Sequence, residues 1–159
     1  MLTLELFRHI KDAEIVNGKG NSLLPGFIDA HVHLHNESNL KEMAKWGVTT
    51  ALDMASMDAE VLAELRAKSA EGGVTYILSP GIPATAPGSM HSHMPACPQA
   101  ALVSSPEDAV RFIEARVVEN VDYIKVIADL PGFDQDTLNA LVVRPSSKKI
   151  DCQDVQGRC

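Results

Sequence analysis

The feature that most constrains the fold of this chain is a regular alternation between short, β-branched apolar segments and segments with a helical apolar period. The predicted strands are residues 27–34, 48–54, 74–79 and 123–128. Each is followed by a segment whose apolar residues recur every three or four positions. Because neighbouring parallel strands need a crossover connection, which a helix supplies, four successive βα units predict an α/β fold with a parallel sheet and right-handed crossovers.

Cap signals support the four predicted helices. The candidate N-cap residues are Asn39, Asp58, Ser105 and Asp134. Asn39 with Glu42 three residues later forms a capping-box pattern, and Pro106 suits the first position of the third helix. In that third helix the predicted buried stripe is Val110, Ile113 and Val117. One long connection, residues 81–105, separates the third strand from the third helix, and loops of that length are usually functional or disordered.

Composition excludes several classes of protein. The chain has 159 residues, with 14 Lys plus Arg against 21 Asp plus Glu, for a net charge of −7. This acidic balance, without a basic cluster, argues against nucleic acid or an anionic membrane as a partner. Three cysteines, an odd number without paired spacing, indicate a reducing compartment. No apolar run approaches the ~20 residues that span a bilayer, so we expect a soluble, cytoplasmic protein.

Two histidines mark the carboxyl end of the first predicted strand. His31 and His33 are separated by one residue, so the alternation of a strand directs both imidazoles to the same side of the sheet. Neighbouring imidazole nitrogens can bind one metal ion, and sites in parallel α/β folds lie at the carboxyl ends of strands. The alternative is two ordinary surface or packing histidines.

A lysine interrupts the fourth predicted strand. Lys125 lies within the apolar run YIKVIA. Burying an unpaired ammonium group costs several kcal/mol, so this side chain must either reach water or lose its charge. An uncharged lysine amine is a nucleophile that can form a Schiff base or take up carbon dioxide as a carbamate. The alternative is an edge strand with Lys125 in solvent.

Three stretches of the sequence resemble a known family. Residues 24–34, LPGFIDAHVHL, resemble the first-strand signature of the metal-dependent amidohydrolase superfamily. Residues 47–50, GVTT, followed by Asp53, resemble its second strand. Residues 122–126, DYIKV, resemble the fourth strand of the branch that includes imidazolonepropionase-like and Xaa-Pro dipeptidase-like enzymes. The resemblance extends from about residue 13 to residue 143.

The resemblance implies a (β/α)8 TIM barrel that hydrolyses carbon–nitrogen bonds of small molecules: amides, cyclic amides or dipeptides. It implies that His31 and His33 bind one divalent ion, usually zinc, and that Lys125, as a carbamate (carboxylysine), bridges it to a second. Such ions lower the pKa of a bound water and polarise a carbonyl. Iron, manganese or nickel would also suit these ligands, and the substrate is not identified.

The chain also departs from the family pattern. The family's further histidines, from the fifth and sixth strands, and its general base, an aspartate of the eighth, have no counterpart here, and a complete barrel takes ~250 residues. We therefore expect residues 27–143 to form the first half of the barrel, after a β-sandwich remnant and lead-in at 1–26. Residues 144–159 are interpreted as a non-homologous, disordered tail of a truncated, frameshifted or mis-spliced gene model. Little turnover is expected from this form alone.

Weaker candidates for site residues are Asp29, His35, Asp53, His91, His93 and Cys97. Asp29 would orient a ligand or a loop, and Asp53 would do the same or cap a turn. His35 lies beyond the strand end. The loop histidines either contact substrate, as the resemblance allows, or face solvent, and Cys97 lacks the partner that a nucleophilic thiol needs.

A non-catalytic function is the main alternative. An unclosed half-barrel leaves strand edges unpaired, and such edges favour association with another copy or a partner chain. A flavodoxin-like domain is less favoured, because the first βα turn, HLHNESN, lacks a glycine-rich phosphate loop.

Overall fold

A three-stranded parallel sheet and four α-helices make up the described part of the chain, residues 16–142 of a computed structural model. In chain order they are β1 (Phe27–Val32), α1 (Glu37–Lys45), β2 (Val48–Asp53), α2 (Ala59–Glu71), β3 (Tyr76–Leu78), α3 (Pro106–Val118) and α4 (Gln135–Val142). The strand order is β1-β2-β3. The predicted α/β class is confirmed. The predicted tail at 144–159 and most of the predicted remnant at 1–26 lie outside the described residues.

The three strands end at a common edge of the sheet. Val32 is paired with Asp53, and Leu52 is paired with Leu78. Beyond the last pair of β1 and β2, the N–H of Met54 still donates to the carbonyl of Val32 at 2.8 Å. Because all three strands are parallel, their carboxyl ends lie side by side, which is where a site in this class of fold is expected.

One hydrophobic core joins this sheet to the first two helices. Its buried members are Leu34, Leu40, Ala51, Leu62, Leu65 and Ile77. Leu40, from α1, is completely buried, and Val61 and Met43 pack against the cluster. One face of each of the first two helices therefore packs against the sheet.

A second core lies between α3 and α4. Its buried members are Ala84, Val103, Ala109, Phe112, Ile113 and Leu141. The predicted stripe of α3 was wrong at one position, because Val110 is 50% exposed. The buried face is turned toward Phe112 and Ile113, and the guanidinium of the buried Arg116 lies 5.1 Å from the centre of the Phe112 ring. Because α3 packs against α4, the face with Phe112 and Ile113 is buried, and the predicted face with Val110 is not.

The fourth predicted strand, 123–128, does not form as a regular strand in the described residues. A single parallel bridge joins Val126 to Ala84, with hydrogen bonds of 2.8 Å from Ala84 N–H to the Lys125 carbonyl and 2.9 Å from Ile127 N–H to the Ala84 carbonyl. The facing stretch, 79–83, reads SPGIP. Its two prolines have no N–H to donate, and Gly81 has a φ of 62°, so a continuous ladder cannot form.

The helix caps follow the sequence closely, with one shift. Asp58 accepts hydrogen bonds from Glu60 and Val61, and Ser105 caps α3. Asp134 accepts the N–H of Thr137 at 2.7 Å. For α1, however, the N-cap is Asn36, and Asn39 is its capping-box partner instead of the cap itself. An asparagine side chain can play the part usually given to Glu or Gln.

The long connection between β3 and α3 is packed against the domain. Thr85, Ser89 and Val103 are buried, and Thr85 forms a parallel bridge with Leu102. Its most exposed hydrophobic side chain is Met90. No helix within residues 16–142 has the length and apolar character needed to cross a bilayer.

Candidate metal centre at the carboxyl ends of the strands

His31 and His33 lie on the same side of the sheet, as predicted. His31 is in β1 and His33 follows its last residue; their ring centres are 5.7 Å apart, with planes inclined by 69°. Both residues are exposed, so their nitrogens are open to a ligand from solution. The rings form an edge-to-face pair at the end of β1.

The spacing of the two rings is close to that required by a shared metal ion. Two imidazoles on one zinc ion, with Zn–N distances of about 2.0–2.1 Å and a tetrahedral angle, have ring centres roughly 5.2 Å apart. The observed 5.7 Å is about half an ångström wider. Within residues 16–142, no group of three His, Cys, Asp or Glu side chains is placed to hold a metal. A complete ligand set therefore needs a donor of another kind or from another part of the protein.

Lys125 is directed into the protein and not at bulk solvent. The residue is half-buried, and its amine lies 3.7 Å from the sulfur of Met54. Among the described residues no carboxylate forms an ion pair with it. Met54 is itself buried, and its N–H is bonded to the carbonyl of Val32, the residue between the two histidines.

Asp53 is the buried carboxylate at this edge. It is 1% exposed, accepts the N–H of Leu34 at 3.2 Å and accepts the hydroxyl of Ser79 at 2.7 Å. The phenol of Tyr123 donates to the Asp53 carbonyl. Burial, assisted by the negative charges of Asp53 and Asp122, raises the pKa of that phenol well above its usual range. Tyr123 therefore stays a hydrogen-bond donor at neutral pH.

The remaining weaker candidates take structural positions in the described residues. Asp29 accepts the backbone N–H of His31 at 3.2 Å, so its carboxylate supports the strand. The N–H of His35 donates to Asn39 at 3.1 Å, within the cap of α1. The thiol of Cys97 lies 3.9 Å from the carbonyl oxygen of Pro98, and His93 is exposed.

A pair missed in the sequence joins the long loop to the segment after Lys125. His91 Nδ1 lies 2.8 Å from Asp129 Oδ2, and the His91 N–H donates to the same oxygen at 2.9 Å. These two bonds, with a third from the N–H of Leu130, lower the pKa of Asp129 to about 2. The position of Asp129, directly after a predicted strand, was the one signal in the sequence that this acid could belong to a site. Its pairing with His91 could not be predicted, because the two residues are 38 positions apart in sequence.

A cavity of about 700 Å³ opens beside this pair. Its lining is mainly apolar and consists of Met90, Val126, Ile127, Ala128, Asp129, Leu130, Gly132, Phe133 and Leu138. Its lining begins at Val126, one residue after Lys125, so the cavity lies at the carboxyl end of the fourth predicted strand. Neither His31 nor His33 lines it.

Comparison with solved structures identifies proteins of similar fold. No family model matches the sequence, and no curated protein matches it. A bottromycin amidohydrolase is 24% identical, with a TM-score of 0.57 over 74% of this chain and 25% of its own. A Xaa-Pro dipeptidase with bound methionine is 20% identical, with a TM-score of 0.55 over 74% of this chain and 39% of its own. A further amidohydrolase is 18% identical, with a TM-score of 0.60 over 83% of this chain and 43% of its own.

These neighbours are amidohydrolase-superfamily structures, and at 24% identity or less the likeness is one of fold. This chain spans between a quarter and less than half of the length of each. The described residues therefore have the fold of part of each of these structures.

Proposed function

We propose that this chain is the first half of a (β/α)8 barrel from a metal-dependent hydrolase of carbon–nitrogen bonds. Its domains would be a β-sandwich remnant at 1–26, the half-barrel at 27–143 and a tail at 144–159. The observation that carries the proposal is the pair His31 and His33, with ring centres 5.7 Å apart at the carboxyl end of β1. The likeness to amidohydrolase folds supports it.

In this proposal His31 and His33 hold one divalent ion, with zinc as the expected metal. A bound divalent ion polarises a carbonyl and lowers the pKa of a water molecule. The exposed imidazoles leave room for a small substrate at the same edge of the sheet. Residues 16–142 supply two imidazoles and one half-buried amine to this site, and we expect the chain to bind metal and to hydrolyse amide and dipeptide substrates little or not at all.

Lys125 is proposed as the third ligand, after reaction with carbon dioxide. The amine attacks the carbon of CO2, a C–N bond forms, one proton leaves, and the product is a carbamate with two oxygen donors. The half-buried position of the amine and the absence of a carboxylate partner in residues 16–142 support this role. A salt-bridged ammonium would be held in its unreactive, protonated form.

Metal binding tests the proposal directly. Calorimetric titration with Zn²⁺, and the visible spectrum with Co²⁺, should detect one site per chain that His31→Ala and His33→Ala each abolish. The expected loss exceeds the about 10–100-fold that partners outside the ligand set cost. His93→Ala, which removes an exposed loop histidine, is the matched control and should leave the affinity unchanged. Equal affinity in all four proteins would refute the site.

The carbamate has its own test. In ¹³C-bicarbonate the wild-type chain with Zn²⁺ should show a carbamate carbon signal by NMR that is missing from Lys125→Gln. Persistence of the signal in Lys125→Gln would assign it to another amine. Robust, zinc-dependent hydrolysis of dipeptides that is lost in His31→Ala would overturn the expected inactivity.

The second candidate is a non-catalytic half-barrel that associates with a second copy of itself. β1 lies at the edge of the sheet, where Phe27 is 64% exposed and Ile28 is 67% exposed. An apolar edge strand with free backbone groups favours pairing. Light scattering during size exclusion separates the alternatives, because a monodisperse monomer that binds Zn²⁺ contradicts obligatory association. A dimer that is lost in Ile28→Lys supports it.

A further inference from the structure

The buried carboxylate of Asp53 requires an explanation. It is 1% exposed at the end of β2, and a buried charge that forms only two hydrogen bonds is costly compared with a packed apolar residue. The sequence left three roles open for it: orienting a ligand, orienting a loop, or capping a turn. Its partners, Leu34 and Ser79, do not belong to a turn that Asp53 begins, so its contacts exclude the last role.

One oxygen of Asp53 holds the end of β1. Oδ1 accepts the N–H of Leu34 at 3.2 Å, and Leu34 directly follows His33. This bond lies beyond the last β1–β2 pair, Val32 with Asp53. It therefore fixes the direction of the backbone next to His33, just beyond the end of β1. The bond comes from β2, 19 residues away in sequence.

The other oxygen connects β2 to the segment that carries Lys125. Oδ2 accepts the Ser79 hydroxyl at 2.7 Å, and the Ser79 N–H donates to Asp122 at 2.8 Å. Arg66 forms an ion pair with Asp122 at 2.6 Å. Asp122 precedes Lys125 by three residues, and the Tyr123 phenol donates to the Asp53 carbonyl. A continuous polar network therefore joins the histidine strand to the lysine segment.

We infer that Asp53 is a positioning residue that sets His33 and Lys125 relative to each other through its bonds to Leu34 and Ser79. This inference rests on the proposed function. The segment after β3 contains two prolines and pairs with this part of the chain through the Ala84–Val126 bridge and the backbone bond from Asp122 to Ser79, without a regular ladder. The Asp53 network is a second connection of the Lys125 segment to the sheet. Both carboxylate oxygens of Asp53 are engaged by Leu34 and Ser79, so the role inferred for it is positioning.

Cobalt binding by variants of the full chain tests the role. Asp53→Ala removes both bonds of the carboxylate, and Asp53→Asn keeps an acceptor for Leu34. Ser79→Ala removes the bond from Ser79 to Asp53 and also the acceptor of the Gly81 N–H, which lies 3.1 Å from the Ser79 hydroxyl. We expect Asp53→Ala to weaken Co²⁺ binding about tenfold, as loss of a partner outside the ligand set does, and to change the visible spectrum. Asp53→Asn should recover most of the affinity. Ser79→Ala should shift the cobalt spectrum in the same direction as Asp53→Ala, but the shift should be smaller.

Ser69→Ala is the matched control. Ser69 is also buried, and its hydroxyl accepts the N–H of Ile77 at 3.1 Å, so this variant reports the effect of losing a buried hydroxyl on the helix side of the sheet. Its cobalt affinity and spectrum should match those of the wild type. Near-UV circular dichroism establishes that each variant is folded.

The outcomes separate this inference from the proposed function. If the wild type shows no cobalt binding that depends on His31, the proposed function fails. If the wild type binds but a folded Asp53→Ala retains the wild-type affinity and spectrum, the positioning role is refuted while the metal site stands. Should Asp53→Ala fail to fold, a wild-type cobalt spectrum in Ser79→Ala refutes it instead.

Discussion

Gly26, directly before β1, stands at a position where a side chain has no room. A Cβ at this position would lie 2.7 Å from the Cβ of Thr49 in β2, and closer still to both branch atoms of that side chain. Its φ is not in the left-handed region, so space and not backbone conformation requires glycine. This gives a physical reason for the glycine in the LPGF portion of the first-strand motif.

The cost of Gly26→Ala can be worked from these contacts. Rotation of the exposed Thr49 side chain can relieve its two branch atoms but not its Cβ. Carbon atoms prefer about 3.5–4.0 Å, so the strands must separate by roughly 1 Å. The hydrogen bond from Phe27 N–H to the Gly47 carbonyl, 2.8 Å long, lies in the path of that shift. Overpacking of a core costs about 1–3 kcal/mol. The exposed start of a strand can shift more readily than a core, so we expect Gly26→Ala to lower the free energy of unfolding by about 1–2 kcal/mol.

Urea denaturation followed by far-UV circular dichroism measures this loss. Thr49→Gly removes the clashing Cβ, so the double variant should recover about 1 kcal/mol relative to the sum of the single changes. Gly18→Ala, where a new Cβ would make only an ordinary 3.6 Å contact with the Asn21 carbonyl, is the control and should change stability by no more than about 0.5 kcal/mol. Additive effects of Gly26→Ala and Thr49→Gly would refute the steric explanation.

Three further changes test other parts of the molecule. Leu40→Ala, in the fully buried centre of the first core, should cost about 2–5 kcal/mol in urea denaturation. Asp58→Ala should cost about 1 kcal/mol, because the N–H groups of Glu60 and Val61 lose their cap. The pKa of Asp129, about 2, lies below its usual 3.8, so its contribution to stability is complete above about pH 4 and disappears as the pH falls toward 2. Asp129→Asn should therefore differ from the wild type at pH 5 and converge with it near pH 2; a constant difference would contradict the assignment.

Local features were predictable because they depend on neighbours in sequence. Asp58 and Ser105 cap helices as expected, since a cap involves only the following two or three residues. The histidine pair was also predictable, because alternation along one strand places both rings on one side. The buried face of α3 was not, since the choice of Phe112 over Val110 depends on where α4 packs.

The sequence alone determined the alternation of strands and helices, the parallel sheet and the two imidazoles at its edge, because each follows from a period of two or about four residues. Only the tertiary structure decided that residues 123–128 stay irregular, that Asp53 bonds to Leu34 and Ser79, and that Asp129 meets His91. Those contacts join positions 19 to 38 residues apart. Nothing in local periodicity specifies such partners; they are selected when the helices pack and the buried polar groups must find hydrogen bonds.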